Sequence, residues 1–151
     1  MNNKKDRKRK LARLAILCAG LALALAACGL IPNNREQVLG TFEAQKELIL
    51  EKVEDHTAGG EAGWDELEGV LEVSEYNGGI IKFMCVAEGI VTSSVEAGFY
   101  YSPDDAPAYV GWFPNIKLAE DGDGWSWSDG TDNRYFTQRI CEHFYYYTES
   151  N

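Results

Sequence analysis

Fourteen consecutive residues, Leu14-Ala-Ile-Leu-Cys-Ala-Gly-Leu-Ala-Leu-Ala-Leu-Ala-Ala27, carry no charged side chain, and seven basic residues (Lys4, Lys5, Arg7, Lys8, Arg9, Lys10 and Arg13) crowd in front of them. A stretch that is apolar on all sides does not suit the surface helix of a water-soluble domain. A basic start followed by an apolar run has the layout of an export signal. The positive end stays on the cytoplasmic side while the apolar stretch enters the bilayer. This feature removes residues 1–27 from the fold and leaves residues 35–151 as one expected domain on a short tether, 28–34. Two other readings stay open. The uncharged run extends to Ile31, 18 residues in all, which is the lower edge for an uncleaved membrane-spanning helix. A secretory signal cut at another position is the second.

Charge divides at the same boundary. The leader holds seven of the 14 basic residues and one of the 24 acidic ones, leaving 7 basic against 23 acidic residues and a net charge of −16 in residues 28–151. Such a surface repels phosphate backbones, so nucleic acid is not an expected partner. It also repels anionic lipid headgroups, so attraction of charge alone would not hold it on a membrane.

The end of the apolar run supplies another means. Leu25-Ala26-Ala27-Cys28-Gly29 resembles the lipobox of bacterial prolipoproteins. The resemblance implies that a diacylglycerol is attached to the Cys28 thiol and that a peptidase cuts between Ala27 and Cys28. It further implies that the new amino group can be acylated as well. Two or more acyl chains give stable anchoring. The expected location is therefore the extracytoplasmic face of a bacterial cell membrane, with the membrane itself a partner through lipid on Cys28. Gly29 leaves open which membrane of a two-membrane cell would hold it.

After the tether, Asn34 and Gln37 have the spacing of a capping-box pair. Val38, Phe42, Gln45, Ile49 and Val53 then recur at helical spacing, with Glu36, Glu43, Glu47, Glu51, Lys46 and Lys52 on the other sides. One amphipathic helix packed on a sheet is expected. Three glycines in Thr57–Gly63 end it, and Trp64–Glu68 suits one more helical turn. The period then changes to two. Val70–Tyr76 and Ile80–Val86 flank Asn77-Gly78-Gly79, a strong hairpin signal. Further strand candidates are 89–92, 95–101, 108–113, 125–127 and the aromatic run 135–148, which also fits a helix face through Phe136, Ile140 and Phe144. The expected class is α+β, with one N-terminal amphipathic helix packed on a twisted antiparallel sheet of about five strands.

Few residues carry a chemical signature. Cys85 and Cys141 remain once Cys18 is removed and Cys28 lipidated. A disulfide between them would enclose 55 residues and contribute roughly 4 kcal/mol; two buried free thiols are the alternative. Asp121, Asp123, Asp129 and Asp132 offer oxygen ligands to a hard cation such as calcium. Their spacing departs from an EF-hand, and two Asp-Gly turns around a short strand explain the same residues. Trp112, Trp125 and Trp127 suit either stacking on sugar rings or cross-strand packing. Asp104 and Asp105 form an adjacent carboxylate pair, but neighbours on a strand point opposite ways. His56 and His143 lie at no ligand spacing to a cysteine. No catalytic triad, phosphate loop or cofactor motif is present, so no enzyme activity and no cofactor are expected.

The succession Gly98-Phe-Tyr-Tyr-Ser-Pro-Asp-Asp-x-Pro107, Asp121-Gly-Asp-Gly-Trp-Ser-Trp127, Asp132-Asn133 and Ile140-Cys-Glu-x-Phe-Tyr-Tyr-Tyr147 resembles small lipoproteins of Gram-positive gut bacteria that have no assigned activity. The resemblance implies a location and no chemistry. The expected function is that of a non-enzymatic binding or interaction module on the membrane. The alternative is an inhibitor or immunity-type protein whose acidic surface neutralises a basic enzyme.

Overall fold

The helical stripe forms over the expected residues, but on two helices instead of one. In the computed structural model, which describes residues 34–90 and 93–151, α1 (Asn34–Ala44) and α2 (Lys46–Thr57) meet at Gln45. The N–H of Gln45 donates to the Phe42 carbonyl at 3.2 Å, a tightened step in the ladder. Its side chain turns aside to hold a loop. Nε2 donates to the Glu68 carbonyl at 2.6 Å, and Oε1 accepts from the Glu68 N–H at 2.8 Å. The one polar member of the stripe is thus where the helix breaks, while Val38, Phe42, Ile49 and Val53 are all buried. Lys52 departs from the expectation of an outward side chain. It is buried, and its ammonium donates to the Ala62 carbonyl and to Glu66 Oε2, both at 2.8 Å. It thereby closes the glycine-rich turn that leads into a 3₁₀ turn at Trp64–Glu66.

Seven strands follow, not about five: β1 Glu72–Tyr76, β2 Ile80–Ile90, β3 Ser93–Tyr101, β4 Ala119–Asp121, β5 Gly124–Ser128, β6 Arg134–Cys141 and β7 Phe144–Ser150. They make one antiparallel sheet in the order β1-β2-β3-β7-β6-β5-β4. The coarse α+β expectation, helices against an antiparallel sheet, holds. The first hairpin forms where expected, with a three-residue loop: Tyr76 faces Ile80, and positive φ falls on Gly78 and Gly79 instead of Asn77. The aromatic run 135–148 is two strands, not one. Its turn, Glu142-His143, has His143 at φ 64 and no glycine to announce it.

Period two sorts the strands into two cores. On the helix side, Ile81, Phe83, Cys85, Val86, Ala97, Phe99, Phe144 and Tyr146 meet the stripe of α1 and α2. Phe83 stacks on Phe99 at 4.8 Å, and Phe42 presents its edge to Phe99 at 5.2 Å. A bulge at Cys85 puts Cys85 and Val86 on the same side, and a second at Ile140 does so for Ile140 and Cys141.

The opposite side is a tyrosine face: Tyr100, Tyr135, Tyr145 and Tyr147, with Val110. It is covered by the long connection 102–118, which carries the chain from β3 to β4 at the far edge. The expected strand 108–113 lies within this cover and joins no ladder. Tyrosine hydroxyls serve its backbone instead. The Ala108 N–H donates to Tyr100 Oη at 2.9 Å, and the Ala108 carbonyl accepts from Tyr135 Oη at 2.9 Å. Gly98 makes this face possible. A Cβ there would lie 2.0 Å from the Phe83 carbonyl oxygen and 2.9 Å from the Tyr147 ring. Residues 34–151 form one compact unit. Among the described residues no helix is long and apolar enough to cross a membrane. Ala27 and Cys28 lie outside the described residues.

Candidate functional site

The covering segment and the first three strands enclose a cleft of about 270 Å³ lined by Glu72, Ser74, Tyr76, Lys82, Met84, Glu96, Gly111 and Trp112. Strand alternation explains its composition. Ile81 and Phe83 go to the helix core, which sends Lys82 and Met84 to the tyrosine face. There Lys82 Nζ pairs with Glu96 Oε2 at 3.0 Å, with side chains only 7% and 14% exposed. The ammonium also sits 5.0 Å from the centre of the Tyr147 ring.

Glu149 continues the period-two series Tyr145, Tyr147, and it faces Glu96 across the β3–β7 ladder. It is 3% exposed. Oε1 accepts from Tyr109 Oη at 2.5 Å and from the Trp112 N–H at 3.4 Å. Tyr109 Oη in turn accepts from the Phe113 N–H at 3.0 Å. The Tyr109–Phe113 turn is therefore folded around this carboxyl. Gly111 lets it come close, since a Cβ at that position would lie 2.4 Å from Glu149 Oε2. Burial pushes the Glu149 carboxyl above the usual carboxylate range. Tyr109, the Trp112 N–H and Lys82 oppose the push, and the Glu96 charge adds to it. Two polar atoms here are buried without a partner, Glu149 Oε2 and the Tyr147 hydroxyl. Burial, the Glu96 charge and the neighbouring thiol and acids likewise push the Tyr147 phenol upward. Trp112 stands at the mouth, 69% exposed, the most exposed large apolar side chain among the described residues.

Lys82, Glu96, Tyr109 and Glu149 carry no motif, and sequence reasoning passed over them. A signal was present all the same. Lys82 interrupts the otherwise apolar run Ile80–Val86, and Glu149 extends a buried aromatic stripe at period two; both place a charge where a core side chain is expected.

The residues singled out from sequence fall elsewhere. The four aspartates are not gathered. Asp129 accepts from Thr131 Oγ1 at 2.6 Å, from the Thr131 N–H at 2.9 Å and from Asn133 Nδ2 at 2.6 Å, and those bonds hold its carboxyl below the usual range. Asp123 accepts from Gln138. Asp132 uses its carbonyl to receive Ser150 Oγ at 3.1 Å. Asp121 lies at the edge of a separate hollow. Among the described residues no three His, Cys, Asp or Glu side chains come close enough to hold a metal ion. The two Asp-Gly turns flank β5, and that turn chemistry accounts for these residues.

Cys85 and Cys141 are free thiols, not a disulfide. Strands β3 and β7 lie between β2 and β6, so the pair is separated by three inter-strand spacings, about 14 Å. A disulfide requires Cα atoms within about 7 Å. Burial pushes the Cys85 thiol up to about 12, so it stays protonated and unreactive.

Trp125 and Trp127 are half-buried and pack against Tyr145, Tyr109 and Phe113, and Trp127 also lines the larger hollow over β5–β7; Trp112 is exposed. Asp104 is exposed, whereas Asp105 is tied into the fold. It accepts from the His143 N–H at 2.8 Å and pairs with Arg139. His56 bonds Glu75 at 3.1 Å, and His143 Nδ1 lies 3.0 Å from the Ser102 carbonyl.

A larger hollow of about 530 Å³ lies over β5–β7 and is lined by Ser126, Ser128, Arg134, Phe136 and Thr148 among others. None of the buried charged residues Lys52, Lys82 and Glu149 lines it. The smaller cleft is therefore the candidate site. No protein family, curated protein or solved structure matches this chain.

Proposed function

We propose that this protein is a lipid-anchored binding module on the extracytoplasmic face of a bacterial membrane of Gram-positive type. Acyl chains on Cys28 hold it there once residues 1–27 are removed, and it captures a partner without transforming it. The observation that carries the binding role is the Trp112-rimmed cleft over the Lys82–Glu96 pair. An exposed tryptophan beside desolvated charges is the kind of anchor that dominates interface energetics. The site's own chemistry favours capture over catalysis. Lys82 and Glu96 neutralise each other, and Glu149 is occupied in folding the Tyr109–Phe113 turn. The anchor rests on Leu25-Ala-Ala-Cys28 after the basic, apolar leader.

Cys28→Ser tests the anchor. Expressed in a Gram-positive host, the native chain should sediment with membranes and label with palmitate. The variant should not label and should keep its leader, whose apolar run still enters the bilayer. Membrane retention of a trimmed, unlabelled Cys28→Ser chain would contradict the proposal.

A second reading has its own support. The net charge of −16 over residues 28–151 would steer a basic enzyme toward this surface, as an inhibitor or immunity-type protein requires. Capture of one basic protein at low salt and its release at high salt, together with loss of that protein's activity in the complex, would favour this reading.

A further inference from the structure

We propose that the cleft between β1–β3 and the Gly111–Trp112 turn receives a single lysine or arginine side chain from a protein partner. This rests on the reading of the protein as a binding module and names the chemistry it captures. Size is the first argument: about 270 Å³ falls below the roughly 300–1,000 Å³ of pockets that enclose small-molecule ligands, but suffices for one long side chain.

Hydrogen-bonding supply is the second. Glu96 gives Oε2 to Lys82 and leaves Oε1 without a partner among the described residues. Glu72 stands exposed at the rim, its carboxylate engaged only by Ser74 Oγ at 3.0 Å. Next to the cleft, under the Lys82 ammonium that sits over its ring, Tyr147 has a buried, unpartnered hydroxyl in electrostatic reach of Tyr76 and Glu96. The unpartnered Glu149 Oε2 sits behind Gly111, which has no side chain to screen it. The unpartnered carboxylate oxygens, Glu96 Oε1 and Glu149 Oε2, are acceptors, while the site's one ammonium is already engaged. A group that only donates, and that carries positive charge, meets that imbalance.

Third, Trp112 offers an exposed indole at the mouth, the preferred aromatic face for a cation. Finally, the partner is a protein and not a free amine because the domain that carries the cleft is acidic, with a net charge of −16 over residues 28–151. Long-range attraction to a basic surface adds to a single side-chain contact only if that side chain belongs to a larger basic body.

The test uses the intact protein at low ionic strength, titrated with acetyl-Gly-Gly-Lys-Gly-Gly-amide and followed through the backbone amide signals of β1–β3, which every variant retains. Saturable binding is expected. Trp112→Ala should weaken it roughly threefold or more, and Glu72→Gln about twofold to fivefold. Glu120→Gln, on the exposed strand β4, should leave it unchanged. All three positions are exposed, so the fold survives each change, and thermal melting verifies that. Absence of binding would overturn the proposal, as would equal loss in Glu120→Gln or equal affinity for the same peptide with norleucine in place of lysine. Binding of n-butylamine as tight as that of the lysine peptide would overturn the assignment to a protein partner. Membrane retention is scored on the same preparation, so failure of the anchor and failure of the cleft give separate results.

Discussion

Single residues hold this fold at points where their chemistry can be titrated. Asp105 sits at φ 49 and joins the covering segment to the β6–β7 turn. Its carboxyl accepts from the His143 N–H, and its carbonyl accepts from Tyr145 Oη at 2.8 Å. The His143 N–H, with the charge of Arg139 and the Tyr145 hydroxyl behind it, holds the carboxyl below its ordinary value. Its contribution to stability is therefore present above that value and lost as pH falls through the lowered one. Glu149 has the opposite sign. Its raised value means the folded state holds the proton more tightly than the unfolded chain does. Stability is greatest below the ordinary glutamate value and declines as pH rises through the raised one. Thermal melting across about pH 2–8 checks both. Asp105→Asn should flatten the acid limb, and Glu149→Gln should remove the decline above it. Gly98 makes a steric demand instead. The atom a methyl would strike is the Phe83 carbonyl oxygen, part of the ladder itself. Gly98→Ala should cost about 3 kcal/mol or more by denaturant unfolding.

At the scale of elements, the covering segment 102–118 stands in for a strand that never forms. Tyr100 Oη bonds Thr137 Oγ1 at 2.9 Å and accepts from Ala108, and burial raises its phenol to about 12. Tyr100→Phe leaves a buried donor unpaired. It should cost roughly 1–3 kcal/mol and speed hydrogen exchange at the Ala108 amide before those of β3 and β7.

The same segment explains what was legible in the sequence. Val38, Phe42, Ile49 and Val53 could be read because a helix repeats its own period. The β1–β2 hairpin could be read because glycines mark its turn. The Glu142-His143 turn could not, because its support comes from Asp105 and Ser102, some forty residues away in the chain. The break at Gln45 was equally hidden, since its partner is the backbone of Glu68. Lys82 and Glu149 became a site only once β7 lay beside β3, a pairing that no local pattern encodes.

For the whole molecule, the two thiols and the charge carry consequences. Cys85 and Cys141 lie on opposite sides of two intervening strands, so a reducing agent should leave the thermal midpoint unchanged. A fall on reduction would mean that the pair is bonded and the strand order is wrong. With so acidic a body, the proposed attachment to an anionic bilayer would depend on a covalent lipid at Cys28.

Intact-mass analysis of the native protein purified from cells tests that proposal most directly. The expected species begins at Cys28, exceeds the bare 28–151 chain by a diacylglyceryl group with or without one further acyl chain, and retains two free thiols. A chain that still begins at Met1, or one cut at Cys28 that carries no lipid, would contradict the account.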